Sequence, residues 1–231
     1  MKQIVTSETG LSHIRLAIGP VSSKVKDMSE NQFNDLSSLA AYLPSRRSGR
    51  PRNMVAPGPN DQQIQDIVSL AMRTPDHGKL APWRVIAVAG DQRARLSQGF
   101  TEAYRKEKPD AGRLELEGLE NMANEAPALL VLLSSPAEST KVPLWEQELS
   151  CGAFAMNILH AAHAMGFVGG WITGWPAFNE DVRDLFGSDP ERIAGFIYLG
   201  TSNAELVERP RPELKDIFSF WNPACANEVG T

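Results

Sequence analysis

Arg46, Arg47 and Arg50 flank Ser48 and Gly49 in the run Arg-Arg-Ser-Gly-Arg, a local concentration of positive charge in a chain whose net charge is −5. A guanidinium is a planar fork of donors that matches phosphate oxygens, and a serine hydroxyl adds a neutral donor beside it. The chemistry implied is capture of a phosphate. A basic turn closing a helix would use the same residues, because cations complement the negative end of the helix dipole. A second group runs from Arg73 to Trp83 (Arg-Thr-Pro-Asp-His-Gly-Lys-Leu-Ala-Pro-Trp). It packs two prolines, a glycine, His77 and two cations into one connection. That suits a binding loop on a rigid scaffold, or a proline-stiffened loop with a solvated histidine. His160 and His163 stand one helical turn apart, but their surroundings are alanine-rich and no suitably spaced carboxylate joins them. Packing is the better reading, since a metal needs three or four convergent ligands. Glu146 and Glu148 open a helical pattern and suit its positive end. Glycine-rich dinucleotide and Walker loops, a GxSxG elbow and CxxC pairs do not occur in the sequence.

The elements that must position these groups follow from apolar spacing. Phe33, Leu36, Leu39, Ala40 and Leu43 recur at helical intervals and predict a first helix running into the arginines. Residues 49–59 contain three prolines and read as a loop. Asn60 with Gln63 three positions on forms a capping-box pattern, followed by the apolar face Ile64, Ile67, Val68 and Ala71. Four short apolar segments, 84–89, 128–133, 170–173 and 193–199, read as buried strands. Helical patterns at about 91–106, 113–125, 145–165 and 179–186 separate them, which predicts a central sheet covered by helices on both faces. Small residues on several sides of 145–165 predict a buried central helix. The chain then turns polar and proline-rich and ends in a stripe of Leu214, Ile217, Phe218 and Trp221, an apolar arm suited to a partner surface. Residues 1–30 lack periodicity and read as a weakly ordered extension, 31–222 as the domain, and 223–231 as a tail.

With 231 residues, 42% of them hydrophobic, the chain can bury a full core. Its acidic balance argues against nucleic acid or an anionic membrane as partner, since both require a broad basic face. The most apolar stretch, 126–133, is strand-sized and far short of a membrane span. Lys2 is not followed by an apolar core, so no signal peptide is expected. Two cysteines, Cys151 and Cys225, are too few for a disulfide framework and read as reduced thiols of a cytoplasmic protein.

Taken in order, six fragments resemble the nitroreductase family of FMN-dependent oxidoreductases, and in particular its compact bacterial NAD(P)H nitroreductase group. They are Arg-Arg-Ser at 46–48, Met-Arg-x-Pro-Asp-His at 72–77, Pro-Trp-Arg at 82–84, Lys-Val-Pro-x-Trp-Glu-Gln-Glu at 141–148, Gly-Phe-x-Gly at 166–169 and Gly-Phe-x-Tyr-Leu-Gly-Thr at 195–201. The resemblance spans roughly Phe33 to Trp221. It implies a three-layer α+β fold with a mostly antiparallel central sheet, and a homodimer with FMN at the subunit interface. By the same resemblance, Arg46, Arg47 and Ser48 hold the FMN phosphate and ribityl chain, and Arg50 lies near the N1/O2 edge, where the reduced flavin carries its negative charge. Arg73 and His77 are implied to reach the flavin from the other subunit. Trp171, Ile172 and Thr173 lie against the ring and side chain, and Arg211 is a weaker cation near the phosphate. The implied activity is ping-pong transfer of hydride from NAD(P)H through flavin N5 to a small-molecule acceptor such as a nitroaromatic or a quinone, without a metal. Specialised flavin chemistry (reductive dehalogenation or flavin fragmentation) and a flavin-sensing module are the alternatives. The chain departs from the wider family at Lys79 and Ala81, where Asn and Gln are common. It also carries Ile172 where the compact group can have Arg.

Overall fold

In the computed structural model, residues 33–221 are described. The divisions drawn at 1–30 and 223–231, and Cys225, lie outside the described residues. The centre of the fold is strand β3 (Ala128–Ser134), in which every residue is buried. Side chains of a strand alternate between faces, and β3 uses both. Leu129, Val131 and Leu133 enter one apolar cluster, while Ala128, Leu130 and Leu132 enter another. A continuous apolar run is what a strand covered on both faces requires.

Around β3 the sheet is built from antiparallel pairs. β2 (Trp83–Val88) lies on one side of β3 and β5 (Arg192–Ser202) on the other. The far edge of β5 pairs with β4 (Val168–Ile172), and its last residues pair with the two-residue β1 (Met54–Val55). One layer of helices, α3 (Arg93–Glu107) and α4 (Arg113–Asn124), covers the first face through Leu96, Phe100, Leu119 and Ala123. The opposite layer is α2 (Asp61–Ala71) and the long α5 (Leu144–Ala164), which present Ile67, Ala71, Phe154, Ile158 and Ala162. This is the three-layer α/β/α arrangement expected, with every strand pair antiparallel. A fully buried leucine contributes about 1.5–3 kcal/mol, so the β3 leucines are a main source of stability.

Local chemistry explains several boundaries. Asn60 caps α2 by accepting from Gln63 N at 2.9 Å, and the Gln63 side chain accepts from Asn60 N at 2.9 Å, which completes the capping box. The first helix is shorter than its apolar spacing predicts. α1 covers Leu39–Ser45 with Ser38 as its cap, and residues 33–37 are turns. Its buried side chains are Tyr42 and Ser45, whereas Leu36, Leu39 and Leu43 are exposed. Asn34 and Asp35 explain the early turns, because they bond to Arg47 and Ser45 rather than to a helical ladder. The 49–59 loop contains a 3-10 turn at Pro51–Asn53 as well as β1. The last helical pattern contracts to α6 (Glu180–Arg183). α5 is buried only along the face towards the sheet and α2. Trp145 is 67% and Leu149 54% exposed, and Ala153 and Ala164 are exposed too. The terminal stripe forms α7 (Leu214–Ile217) and stays exposed through Trp221. No helix among the described residues is long and apolar enough to cross a membrane.

Candidate functional site

α1 ends at Ser45, and Arg46 leaves it extended at φ −59° and ψ 124°. The arginines therefore lie beyond the helix, not in its last turn, and the dipole reading loses its geometry. What fixes them is β4. Gly49 N donates to Gly169 O at 3.1 Å, joining the arginine segment to the margin of the sheet. The approach is so close that side chains would not fit. A Cβ on Gly49 would lie 2.4 Å from Val168 Cγ1, and one on Gly170 would lie 2.7 Å from Gly49 O. Two glycines thus let Arg46, Arg47 and Ser48 sit against the strand that continues into Trp171 and Ile172.

The first two guanidiniums and the serine hydroxyl have defined partners. Arg46 Nη1 donates to Ser48 Oγ at 3.2 Å, so the fork and the hydroxyl share one location. Arg47 Nε donates to Val207 O at 2.6 Å, and the Arg47 backbone is clamped on both sides by the Asn34 amide. Among the described residues, no carboxylate lies within ion-pair distance of Arg46, Arg47 or Arg50. Burial lowers the pKa of Arg47 below its ordinary value; the neighbouring charge of Arg211 lowers it further, Glu208 opposes, and Arg46 and Arg209 add smaller effects. Cations that repel one another next to a hydroxyl form a place where an incoming dianion is stabilised. Arg211 belongs to this group through its field and pairs with Glu208 at 3.3 Å.

At the end of β4, Trp171 and Ile172 are about one-third exposed. The Trp171 indole is held by donation to Ala194 O at 3.0 Å. Thr173 lies one residue beyond the strand, which begins and ends earlier than the apolar segment suggests. Arg50 is exposed at the start of the 3-10 turn. Arg46, Arg47, Ser48, Arg211 and the 171–173 segment therefore gather around one margin of the sheet.

Arg73 and His77 do not join them within one chain. Their loop is pinned to the opposite part of α5. Ser150 Oγ donates to Pro75 O at 2.8 Å, Asn157 Nδ2 to Thr74 Oγ1 at 2.7 Å, and His77 Nδ1 pairs with Glu146 Oε2 at 2.6 Å. Glu146 therefore has a specific partner besides the helix dipole. The arginine segment abuts the other end of α5, near His163. At 1.5 Å per residue, Glu146 and His163 stand about 25 Å apart along the helix. The loop itself is tightly shaped. Gly78, Lys79 and Ala81 all have positive φ (79°, 58° and 47°), which is unfavourable for the two non-glycine residues. Asp76 holds that shape, its carboxylate accepting from Leu80 N at 3.2 Å and Ala81 N at 2.8 Å. Strained backbone maintained in this way is a frequent mark of functional segments.

Sequence reasoning treated His160 and His163 as packing and did not single out Tyr42, Asn34 or Gly170. The Tyr42 hydroxyl lies 2.8 Å from both His160 Nδ1 and His163 Nδ1, and His163 Nε2 faces Gly169 N at 3.4 Å. Burial, with smaller contributions from Arg46 and His160, pushes the pKa of His163 down to about 4. The i, i+3 histidine spacing was the available signal; the tyrosine that joins them was not visible.

The glycine approach yields a direct expectation. Gly170→Ala should push the arginine segment off β4 and destabilise the fold by about 1–3 kcal/mol, measured by urea unfolding. Gly118→Ala, in α4 with no atom near the added Cβ, should instead stabilise by up to about 1 kcal/mol. An equal effect of the two substitutions would contradict the close approach.

The chain belongs to the nitroreductase family: the model of that family matches residues 43–201. The Escherichia coli K12 protein named "Putative NAD(P)H nitroreductase YdjA" is 35% identical over 164 residues, covering 69% of this chain and 85% of that one. Among solved structures, a nitroreductase-like family protein from Bacillus cereus superposes with a TM-score of 0.70 at 18% identity, covering 80% of this chain and 96% of that one. The FMN-dependent nitroreductase NfnB of Mycobacterium smegmatis, solved in complex with NADPH, gives 0.59 at 17% identity over 77% of this chain and 94% of its own.

Proposed function

We propose that the chain is an FMN-dependent NAD(P)H oxidoreductase that acts as a homodimer on nitroaromatics, quinones or similar small acceptors. The observation that carries this reading is the set of Arg46, Arg47 and Ser48, without an ion-paired carboxylate among the described residues and seated on β4 by the Gly49–Gly170 approach. The donor chemistry and the glycine-lined cradle fit a flavin mononucleotide phosphate. Membership of the family and an FMN-dependent, NADPH-bound structural neighbour support it.

When bound, FMN supplies the hydride relay between nicotinamide and acceptor. The protein's own residues do the rest. Arg46, Arg47 and Ser48 bind the phosphate end, and Arg211 adds positive potential. Trp171 and Ile172 offer an apolar wall that excludes water from one side of the ring. Arg50 would add a cation to the pocket, stabilising the negative charge that FMN gains on reduction. Arg73 and His77 would complete the cleft from the second subunit; for His77, about 25 Å of α5 separates its partner Glu146 from His163 beside the cradle in one chain. Glu146 accepts from His77 Nδ1, so a proton exchanged with an acceptor would be handled at Nε2. Dimerisation would also offer cover for the exposed apolar side chains Leu39, Leu43, Trp145 and Leu149 and for the arm at Phe218–Trp221.

The test is spectroscopic and kinetic. Purified protein supplied with FMN should be yellow, lose its visible absorbance when NADPH or NADH is added without oxygen, and turn over menadione or nitrofurazone. No flavin binding at all would defeat the proposal. A yellow protein that reduced nicotinamide does not bleach would instead be a flavin-sensing module. Light scattering should give twice the chain mass.

A further inference from the structure

Buried His163 and half-buried His160 lie behind the arginine segment, and their hydrogen bonds have one consistent orientation. His163 Nε2 accepts from Gly169 N, so the ring proton is on Nδ1 and is donated to Tyr42 Oη. The Tyr42 hydroxyl proton then goes to His160 Nδ1. Gly169 closes the series, because its carbonyl accepts from Gly49 N. One peptide residue on the sheet margin therefore has its N–H bound by His163 and its C=O bound by the cradle. β4 has no side chains at Gly169 and Gly170, so backbone bonds rather than packing must locate the strand there. Those bonds come from β5 on one side and from His163 and Gly49 on the other. Tyr42 is itself in α1, four residues before Arg46, which ties the helix delivering the arginines to the same network.

We infer that His163 and Tyr42 are positioning residues for the phosphate cradle, setting through Gly169 the distance at which Arg46 and Ser48 meet the cofactor phosphate. Satisfying buried polar atoms alone would also produce such bonds. The two roles differ in what they predict: a packing role affects every ligand and the fold alike, whereas a positioning role acts on the phosphate. The inference rests on the reading of residues 46–48 as the phosphate site.

The experiment compares FMN with riboflavin, which lacks the phosphate, using quenching of flavin fluorescence to obtain Kd at neutral pH. His163→Phe keeps an aromatic ring but neither hydrogen bond, and should raise Kd for FMN about tenfold while leaving riboflavin within about twofold. His163→Gln, whose amide oxygen can still accept from Gly169 N, should recover most of the FMN affinity. Tyr42→Phe removes a single hydroxyl and should raise Kd for FMN about threefold; it carries the test should His163→Phe fail to fold. Equal losses for FMN and riboflavin, or no loss in either variant, would overturn the inference. Arg46→Ala measured alongside separates the two levels. A phosphate-specific loss there, without one in His163→Phe or Tyr42→Phe, leaves the cradle standing and removes the positioning role. No phosphate-specific loss in Arg46→Ala removes both.

Discussion

Replacing Arg46 with Ala should weaken FMN binding by about 1.5–3 kcal/mol, roughly ten- to hundredfold in Kd. The magnitude is that of a hydrogen bond to a charged group, and the geometry of Arg46 makes the upper part of the range reachable. Its guanidinium shares a location with the Ser48 hydroxyl and has no carboxylate among the described residues to satisfy it. Removing it should cost the fold little, because it breaks no ion pair among the described residues and relieves repulsion towards Arg47. Affinity and stability should therefore separate, with Kd rising while the urea midpoint stays put or moves up slightly. Arg46→Lys should recover only part of the loss, since an ammonium cannot reproduce the bidentate fork. Calorimetric titration of wild type and both variants with FMN checks this. Unchanged affinity in Arg46→Ala would place the phosphate elsewhere.

What could be read from the sequence was local, and what could not was the meeting of distant segments. The Asn60–Gln63 cap and the β3 leucines are legible because their causes lie within a few residues: a hydrogen-bond partner three positions away, an unbroken apolar run. The stripe of Leu36, Leu39 and Leu43 has helical spacing, but spacing does not say what covers it; the single chain leaves it exposed and buries Tyr42 instead. α5 shows the same ambiguity, with small residues all round and only one side covered by its own chain. The site was visible as residue types in order, and its construction was not. Tyr42 meets His163 across 121 positions and His77 meets Glu146 across 69, and no local pattern announces either contact. Nothing in the local sequence at Gly49 or Gly170 announces that their backbones touch.

Acidification should weaken the fold well before its carboxylates titrate. His163 is 2% exposed and neutral, with a pKa near 4 against an ordinary value of 6.5. The unfolded chain therefore takes up a proton that the folded protein refuses, and stability falls as pH drops below about 6.5, flattening near 4. The full gap corresponds to about 3 kcal/mol, of which about 2 kcal/mol should be gone by pH 5. His160, shifted down by burial and by Arg46, adds in the same direction. Glu191, whose pKa is lowered by its bonds to Arg84, loses its contribution only at lower pH, and Glu125, whose pKa is raised by burial, offsets a part of the histidine loss as it takes up its proton. Arg46 sharpens the expectation. It lowers the pKa of both histidines, so Arg46→Ala should raise them and make the protein less sensitive to acid across the same window. Urea unfolding at pH 7.0, 6.0 and 5.0 checks this for wild type, His163→Gln and Arg46→Ala, with the steepest slope expected in wild type. A wild-type unfolding free energy that is flat between pH 7 and 5 would mean that the imidazoles gain protons without cost, and the bond from Gly169 N–H to His163 Nε2 would then be broken in solution.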